Sequence, residues 1–293
     1  MQPLKTSHPL ALLLACMILL LGLMPVTAYG DIGPKPSVEL ALEGLDGRVC
    51  YVTLLSQAKS TGPYSVSDHP ISPDHYLVEG DPEYGLKVWE AFRNYQDADG
   101  FYFIEYFARC GEDGTFRWGY YPPATFKVLL YFPQSGEFAV SGICQQYAFD
   151  SYFTVTAEGG GLSIVKSYDY TQELLSLGAR IGATIAVEMA VALLLGLRGK
   201  NLLLFLAVLN TLTQVILNLL LNYFDYSQGS WAFVFHYIWM ELAVTALEAV
   251  ACSFWFRRAG MEKKWIAPAY ALAANAASFA VGLAVAHLVP GIF

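Results

Sequence analysis

Four apolar runs, 174–197, 202–224, 232–256 and 266–288, fill the chain from residue 174 almost to its end. Each is long enough to cross about 30 Å of hydrocarbon as a helix. In lipid the backbone must satisfy its own polar groups, so no other conformation suits an isolated run of this length. The connectors are short, and neighbouring helices must therefore run antiparallel in an up-and-down bundle. Arg198 and Lys200 lie between the first two runs, and Arg257, Arg258, Lys263 and Lys264 between the last two. The connector 225–231 carries no basic residue. The positive-inside rule then puts both basic loops in the cytoplasm, and the start of the first run and the C-terminus outside.

Residues 1–30 read as a secretory signal peptide, with Lys5 before an apolar stretch at 10–23, a break at Pro25 and small residues at Ala28 and Gly30. Cleavage is expected before Asp31, which exports the segment that follows. Both readings place residue 174 on the same side. The expected location is the cytoplasmic membrane, with 31–172 outside and 173–293 spanning it four times.

Only 14% of the 293 residues are charged, against about 25% in an ordinary soluble domain. The deficit lies in the two apolar ends. Between 31 and 173 there are 20 acidic and 9 basic residues, a balance of −11. That sign argues against nucleic acid as a partner. Three of the five cysteines, Cys50, Cys110 and Cys144, fall here, enough for one disulfide whose pairing stays open.

The exported segment alternates short strand-like runs with turn residues. Strands are expected at 37–43, 48–56, 101–109, 115–120, 125–132, 137–144, 152–157 and 162–168. Gly44-Leu45-Asp46-Gly47 reads as a hairpin between the first two, and Gly159-Gly160-Gly161 as another. Asp81-Pro82-Glu83 announces a helix reaching about residue 95, with Leu86, Trp89 and Phe92 at helical spacing. The fold class is therefore an α+β multidomain membrane protein. It pairs an antiparallel β-rich exported domain of one helix with a four-helix transmembrane bundle. Aromatics are dense from Trp89 to Phe153. One sheet face must be core; the other is either a binding face or a packed one.

Polar residues recur inside every apolar run. Glu241 and Glu248 are seven positions apart, close to two turns, and share a helix face. Arg180 and Glu188 occupy the first run; Asn210, Gln214, Asn218 and Asn222 form a ridge in the second; Asn275, Ser278 and Gly282 share a face of the fourth. Lipid cannot satisfy such groups, so Arg180, Glu188, Asn210, Gln214, Asn218, Glu241, Glu248 and Asn275 should face one another. Amide ridges serve packing, whereas three acids against one arginine leave a surplus of carboxyls. That surplus opens proton, ion or small-solute handling beside a purely structural core.

Other chemistry is weakly supported. Asp68, His69, Asp74 and His75 could ligate a metal, but their spacing matches no ligand pattern. Asp97-Ala98-Asp99-Gly100 looks like part of a calcium loop, yet that alignment puts Tyr95 and Tyr106 where acids or amides belong. No nucleotide loop, zincin motif or nucleophile elbow is present. No cofactor is implied.

Asp31-Ile32-Gly33-Pro34-Lys35-Pro36-Ser37, Ser60-Thr61-Gly62-Pro63 and Phe149-Asp150-Ser151-Tyr152 carry a resemblance. With them the chain resembles uncharacterised multi-pass membrane proteins of Gram-positive bacteria with an exported β-rich N-terminal domain. The resemblance implies no activity. The leading expectation is a non-enzymatic interaction or sensing protein, working in membrane lipid through another membrane or envelope protein. A small transporter or channel component using the buried glutamates is the alternative, and an extracytoplasmic or intramembrane enzyme the third reading.

Overall fold

The computed structural model describes residues 33–45, 47–67, 85–111, 113–261 and 263–288. The expected signal peptide, the helix-opening Asp81 and the metal candidates Asp68, His69, Asp74 and His75 lie outside them. The chain divides between Tyr168 and Asp169 into two compact units.

In the first unit, β1 (Ser37–Glu43), β7 (Thr115–Trp118), β11 (Asp150–Glu158) and β12 (Gly161–Lys166) form one sheet in the order β12-β11-β1-β7. A second sheet has the order β10-β8-β2-β5, from β10 (Cys144–Gln145), β8 (Thr125–Phe132), β2 (Tyr51–Ser56) and β5 (Tyr102–Phe103). In it β6 (Ala108–Arg109) also pairs with β2, and β9 (Glu137–Val140) with β8. A separate hairpin joins β3 (Ser60–Thr61) to β4 (Tyr64–Ser65).

Among the described strands the pairs are antiparallel except one. β1 runs parallel to β11, with Ser37 opposite Asp150 and Glu43 opposite Thr156. The expected β1–β2 hairpin does not form: the turn at Gly44 and Gly47, both at positive φ, carries the chain from one sheet to the other. The Gly159-Gly160 hairpin does form, with Glu158 opposite Gly161 and both central glycines at positive φ, the geometry of a tight primed turn.

Two expected strands are interrupted. The run 101–109 breaks at Glu105, where φ is +57°; its halves β5 and β6 still pair with successive parts of β2. Four residues, 104–107, thus bulge opposite Thr53 and Leu54, and Thr53 Oγ1 donates to the Tyr106 carbonyl. The run 137–144 breaks after Val140, where Ser141 Oγ accepts the Val128 N–H at 2.9 Å.

The aromatics explain why β2 and β8 are nearly continuous apolar runs. Val52, Leu54, Phe126, Val128 and Leu130 face the other sheet, meeting Val38, Leu40, Trp118 and Phe153. Tyr51, Leu55 and Leu129 face the opposite way, under Val88, Trp89 and Phe92 of α1 (Gly85–Asn94). The second sheet is buried on both faces, so most aromatic density is core. Cys50 and Cys110 form a disulfide, with Cα atoms 5.5 Å apart, beside the Tyr51–Arg109 pair. Cys144 and Cys252 are free and buried.

The second unit is α2 (Tyr170–Leu194), α3 (Lys200–Gln228), α4 (Ser230–Arg258) and α5 (Ile266–Leu288). All four are long and apolar enough to cross a membrane, which supports a multi-pass membrane protein. Asp169 caps α2, accepting the N–H groups of Thr171 and Gln172. α2 packs on α3, α3 on α4, α4 on α5 and α5 on α2, closing a ring of sequential neighbours. The inward ridge of α2 is Ser176, Arg180, Thr184, Glu188 and Ala192, one residue every four.

Candidate functional site

Three layers stack along the bundle. At the end carrying the two basic connectors, Ala192, Leu197, Leu206, Cys252, Phe256 and Tyr270 form an apolar layer. Toward the other end, Leu217, Leu221, Phe224, Phe233, Met240 and Val244 form a second. Glu248 and its neighbour Glu188 lie between them, and Glu241, flanked on α4 by Met240 and Val244, lies within the second layer.

Glu188 and Glu248 are 0% exposed and Glu241 is 6% exposed. Glu248 is held at both oxygens: Thr213 Oγ1 donates to Oε1 and Asn275 Nδ2 to Oε2, each at 2.6 Å. Glu188 accepts Gln214 Nε2 at 3.0 Å on Oε1. Glu241 has the Tyr237 hydroxyl, one turn back on α4, as its side-chain hydrogen-bond neighbour, although the pair falls outside strict hydrogen-bond geometry. Its field reaches Glu188 and Glu248.

The α3 amide ridge reaches several partners. Asn210 Nδ2 donates to the Tyr270 hydroxyl at 2.8 Å; Asn218 Nδ2 donates to the Gln214 carbonyl at 2.8 Å. Asn222 donates to Glu173 at 3.2 Å and accepts Arg180 Nη2 at 3.1 Å.

Arg180 is the departure from expectation. Its partners are Asn222, the Phe233 ring at 5.9 Å and the fields of Tyr237, Asp225 and Glu173. It sits two helical turns, about 12 Å of axis, from Glu188 on the same face of α2. Arg180 is engaged by Asn222 toward the α2 N-terminus, and among the described residues Glu248 takes Thr213 and Asn275, and Glu188 takes Gln214, rather than a cation. The hydrogen bonds group Arg180 with Asn222 and Glu173, and Glu188 and Glu248 with Gln214, Thr213 and Asn275, while Tyr237 lies in the field of Arg180, Glu188 and Glu241.

Sequence reasoning passed over Thr213, Tyr237 and Tyr270. Thr213 lies one position off the i+4 ridge, and it is buried because α3 presents both rows inward. Tyr237 precedes Glu241 by four residues, a spacing that marks a shared face. Its hydroxyl lies against Gly282. Thr245 Oγ1 donates back to the Glu241 carbonyl at 2.8 Å. His236 stacks on Phe224 with ring centroids 3.8 Å apart.

In the β-rich unit, Asp97 and Asp99 do hold a cation, and it is Lys127. Nζ lies 2.8 Å from Asp97 Oδ1 and 2.5 Å from Asp99 Oδ2. Asp97 also accepts the N–H groups of Asp99 and Phe101, so the stretch is a turn clamped by a lysine. Burial works against the charged form of Asp97, yet the Lys127 and backbone hydrogen bonds and the ammonium charge hold its pKa below the usual range. Burial likewise disfavours charged Lys127, but the bonds and charges of both aspartates raise it overall. Among the described residues no group of three or more His, Cys, Asp or Glu side chains is placed to hold a metal.

No protein-family model, curated protein or solved structure matches the chain.

Proposed function

We propose that this is a membrane-anchored sensing protein: the β-rich unit is displayed outside the cytoplasmic membrane, and the carboxyl core of the bundle takes up and releases a proton or small cation. A partner protein in the envelope reads the change, because the cytoplasmic loops are too short to signal alone. The observation that carries this reading is Glu241, buried with only the neutral Tyr237 hydroxyl as a side-chain donor and no ion pair among the described residues, and within the field of two further buried glutamates. A carboxylate there gains stability from a proton or a cation. The Cys50–Cys110 disulfide supports an oxidising compartment for the β-rich unit, and the basic connectors support the orientation.

The full chain in nanodiscs tests the reading by infrared difference spectroscopy on a pH step and on a sodium or potassium step. Wild type should give a carboxyl band that Glu241→Gln removes. A spectrum without that band, or one unchanged in Glu241→Gln, defeats the proposal. Cysteine labelling in intact cells tests orientation: Ser230→Cys should react with an impermeant maleimide and Lys263→Cys should not.

The spacing on α4 favours a second reading. Glu241 and Glu248 are about 10 Å apart along the axis, with Glu188 in the same electrostatic neighbourhood, a ladder of carboxyls suited to ion passage. Dye-reported proton or cation flux into liposomes, abolished by Glu241→Gln and by Glu248→Gln, would favour transport over sensing.

A further inference from the structure

At the end of the bundle bearing the basic connectors, a cleft of about 630 Å³ opens between the start of α3 and the end of α4. Lys200, Asn201, Leu202, Phe254, Trp255 and Arg258 line it. One half is cationic: Lys200 and Arg258 are exposed, and among the described residues no acidic side chain lines the cleft and neither cation is in an ion pair. The other half is apolar. Trp255 is stacked on Phe205, centroids 4.4 Å apart and planes within 5°, which makes that wall stiff.

The position fixes which anion suits the cleft. It lies at the ends of two helices apolar enough to span a bilayer, where lysine, arginine and tryptophan meet headgroups. A small soluble anion would use only the cationic half. A phospholipid with a negatively charged headgroup uses both, its phosphate between Lys200 and Arg258 and its glycerol and upper acyl carbons along Leu202, Phe254 and Trp255. We propose that this cleft binds one anionic phospholipid of the surrounding leaflet. The proposal needs only that the bundle lie in a membrane, and is independent of the carboxyl core.

Native mass spectrometry of the detergent-purified full chain tests it, with phosphatidylglycerol, phosphatidylcholine and inorganic phosphate as probes. Phosphatidylglycerol should bind about 10- to 30-fold more tightly than phosphatidylcholine, as two basic groups at a headgroup imply. Lys200→Gln/Arg258→Gln should erase that preference, and Lys200→Arg/Arg258→Lys should keep it. Lys263→Gln/Lys264→Gln, which removes two charges at the same end but outside the cleft, should also keep it. Equal binding of the two lipids, or a preference surviving in Lys200→Gln/Arg258→Gln, overturns the proposal. Loss of preference in Lys263→Gln/Lys264→Gln would show diffuse attraction and overturn the site. Displacement of phosphatidylglycerol by millimolar phosphate would assign the cleft to a soluble anion instead. Helical circular dichroism confirms folding of each variant; if the double glutamine variant does not fold, Lys200→Gln and Arg258→Gln alone should each lose part of the preference, and no loss in either overturns the proposal.

Discussion

Asn275 donates from Nδ2 to Oε2 of Glu248 across the α4–α5 interface at 2.6 Å, and that same amide hydrogen-bonds the Ala271 carbonyl of its own helix at 2.9 Å. The pair ties two helices at the level of the polar layer, while Thr213 ties the third. Asn275→Leu leaves a buried carboxyl oxygen without its donor, which should cost about 1–3 kcal/mol. Thermal unfolding in detergent reads this. Glu241→Gln, which keeps an oxygen to accept from the Tyr237 hydroxyl, should move the midpoint less. The reverse order would mean that Glu248 is not the structural carboxyl.

Gly282 and Tyr237 form a second α4–α5 tie. A Cβ at 282 would run into the Tyr237 hydroxyl and touch Thr184. Gly282→Ala should therefore destabilise the bundle by about 1–3 kcal/mol through overpacking. Tyr237→Phe removes the atom in the way, so the double variant should recover most of the loss. Additive effects in this double-mutant cycle would refute the contact.

Lys127 sets the pH response of the β-rich unit. Asp97 is held below its ordinary value of 3.8, so its stabilisation is complete above that value and fades as pH falls through the lowered one. Lys127 is raised above 10.5, so its share is complete below that value and fades as pH rises through the raised one. The cluster should contribute a plateau across neutral pH with a loss at each extreme. Lys127→Met leaves Asp97 buried without its cation. It should cost about 3–5 kcal/mol at neutral pH and shift acid unfolding to higher pH in a circular dichroism titration.

The disulfide closes a loop across 60 positions, for which chain-entropy reasoning gives about 4 kcal/mol. Cys50→Ser should lower the unfolding midpoint of the β-rich unit accordingly, and a reductant should do the same to wild type. Cys144 and Cys252 are buried and should react with maleimide only after unfolding. Labelling of either in the folded protein would contradict its placement.

The spans were legible because bilayer thickness imposes a length on apolar runs. The expected 202–224 and 232–256 are the centres of Lys200–Gln228 and Ser230–Arg258; each observed helix continues past the apolar run at its polar ends. The inward face was legible too, since Asn210, Gln214 and Asn218 had to escape lipid. Who donates to whom was not. Thr213 serves Glu248 while its neighbour Gln214 serves Glu188, a choice made by helix rotation rather than spacing. Arg180 went to Asn222 because both lie nearer the α2 N-terminus, two turns from Glu188. In the β-rich unit, local hairpins with glycine turns could be read, as at Gly159-Gly160. The β1–β11 pair could not: it joins Ser37 to Asp150 in parallel, and parallel pairing leaves no turn between its strands to recognise.

The Cys50–Cys110 bond has a mechanical consequence. Tension drawn through the chain between Lys35 and Tyr168 passes through the sulfur bridge and bypasses β2, α1 and the segment between them. Once the sheets are pulled apart, those elements would carry no covalent tension. A peptide bond cut within 51–109 would likewise leave both pieces covalently joined, separating on a gel only after reduction. The part of the domain with the long connecting segment is thus the part best insulated from force and from nicking.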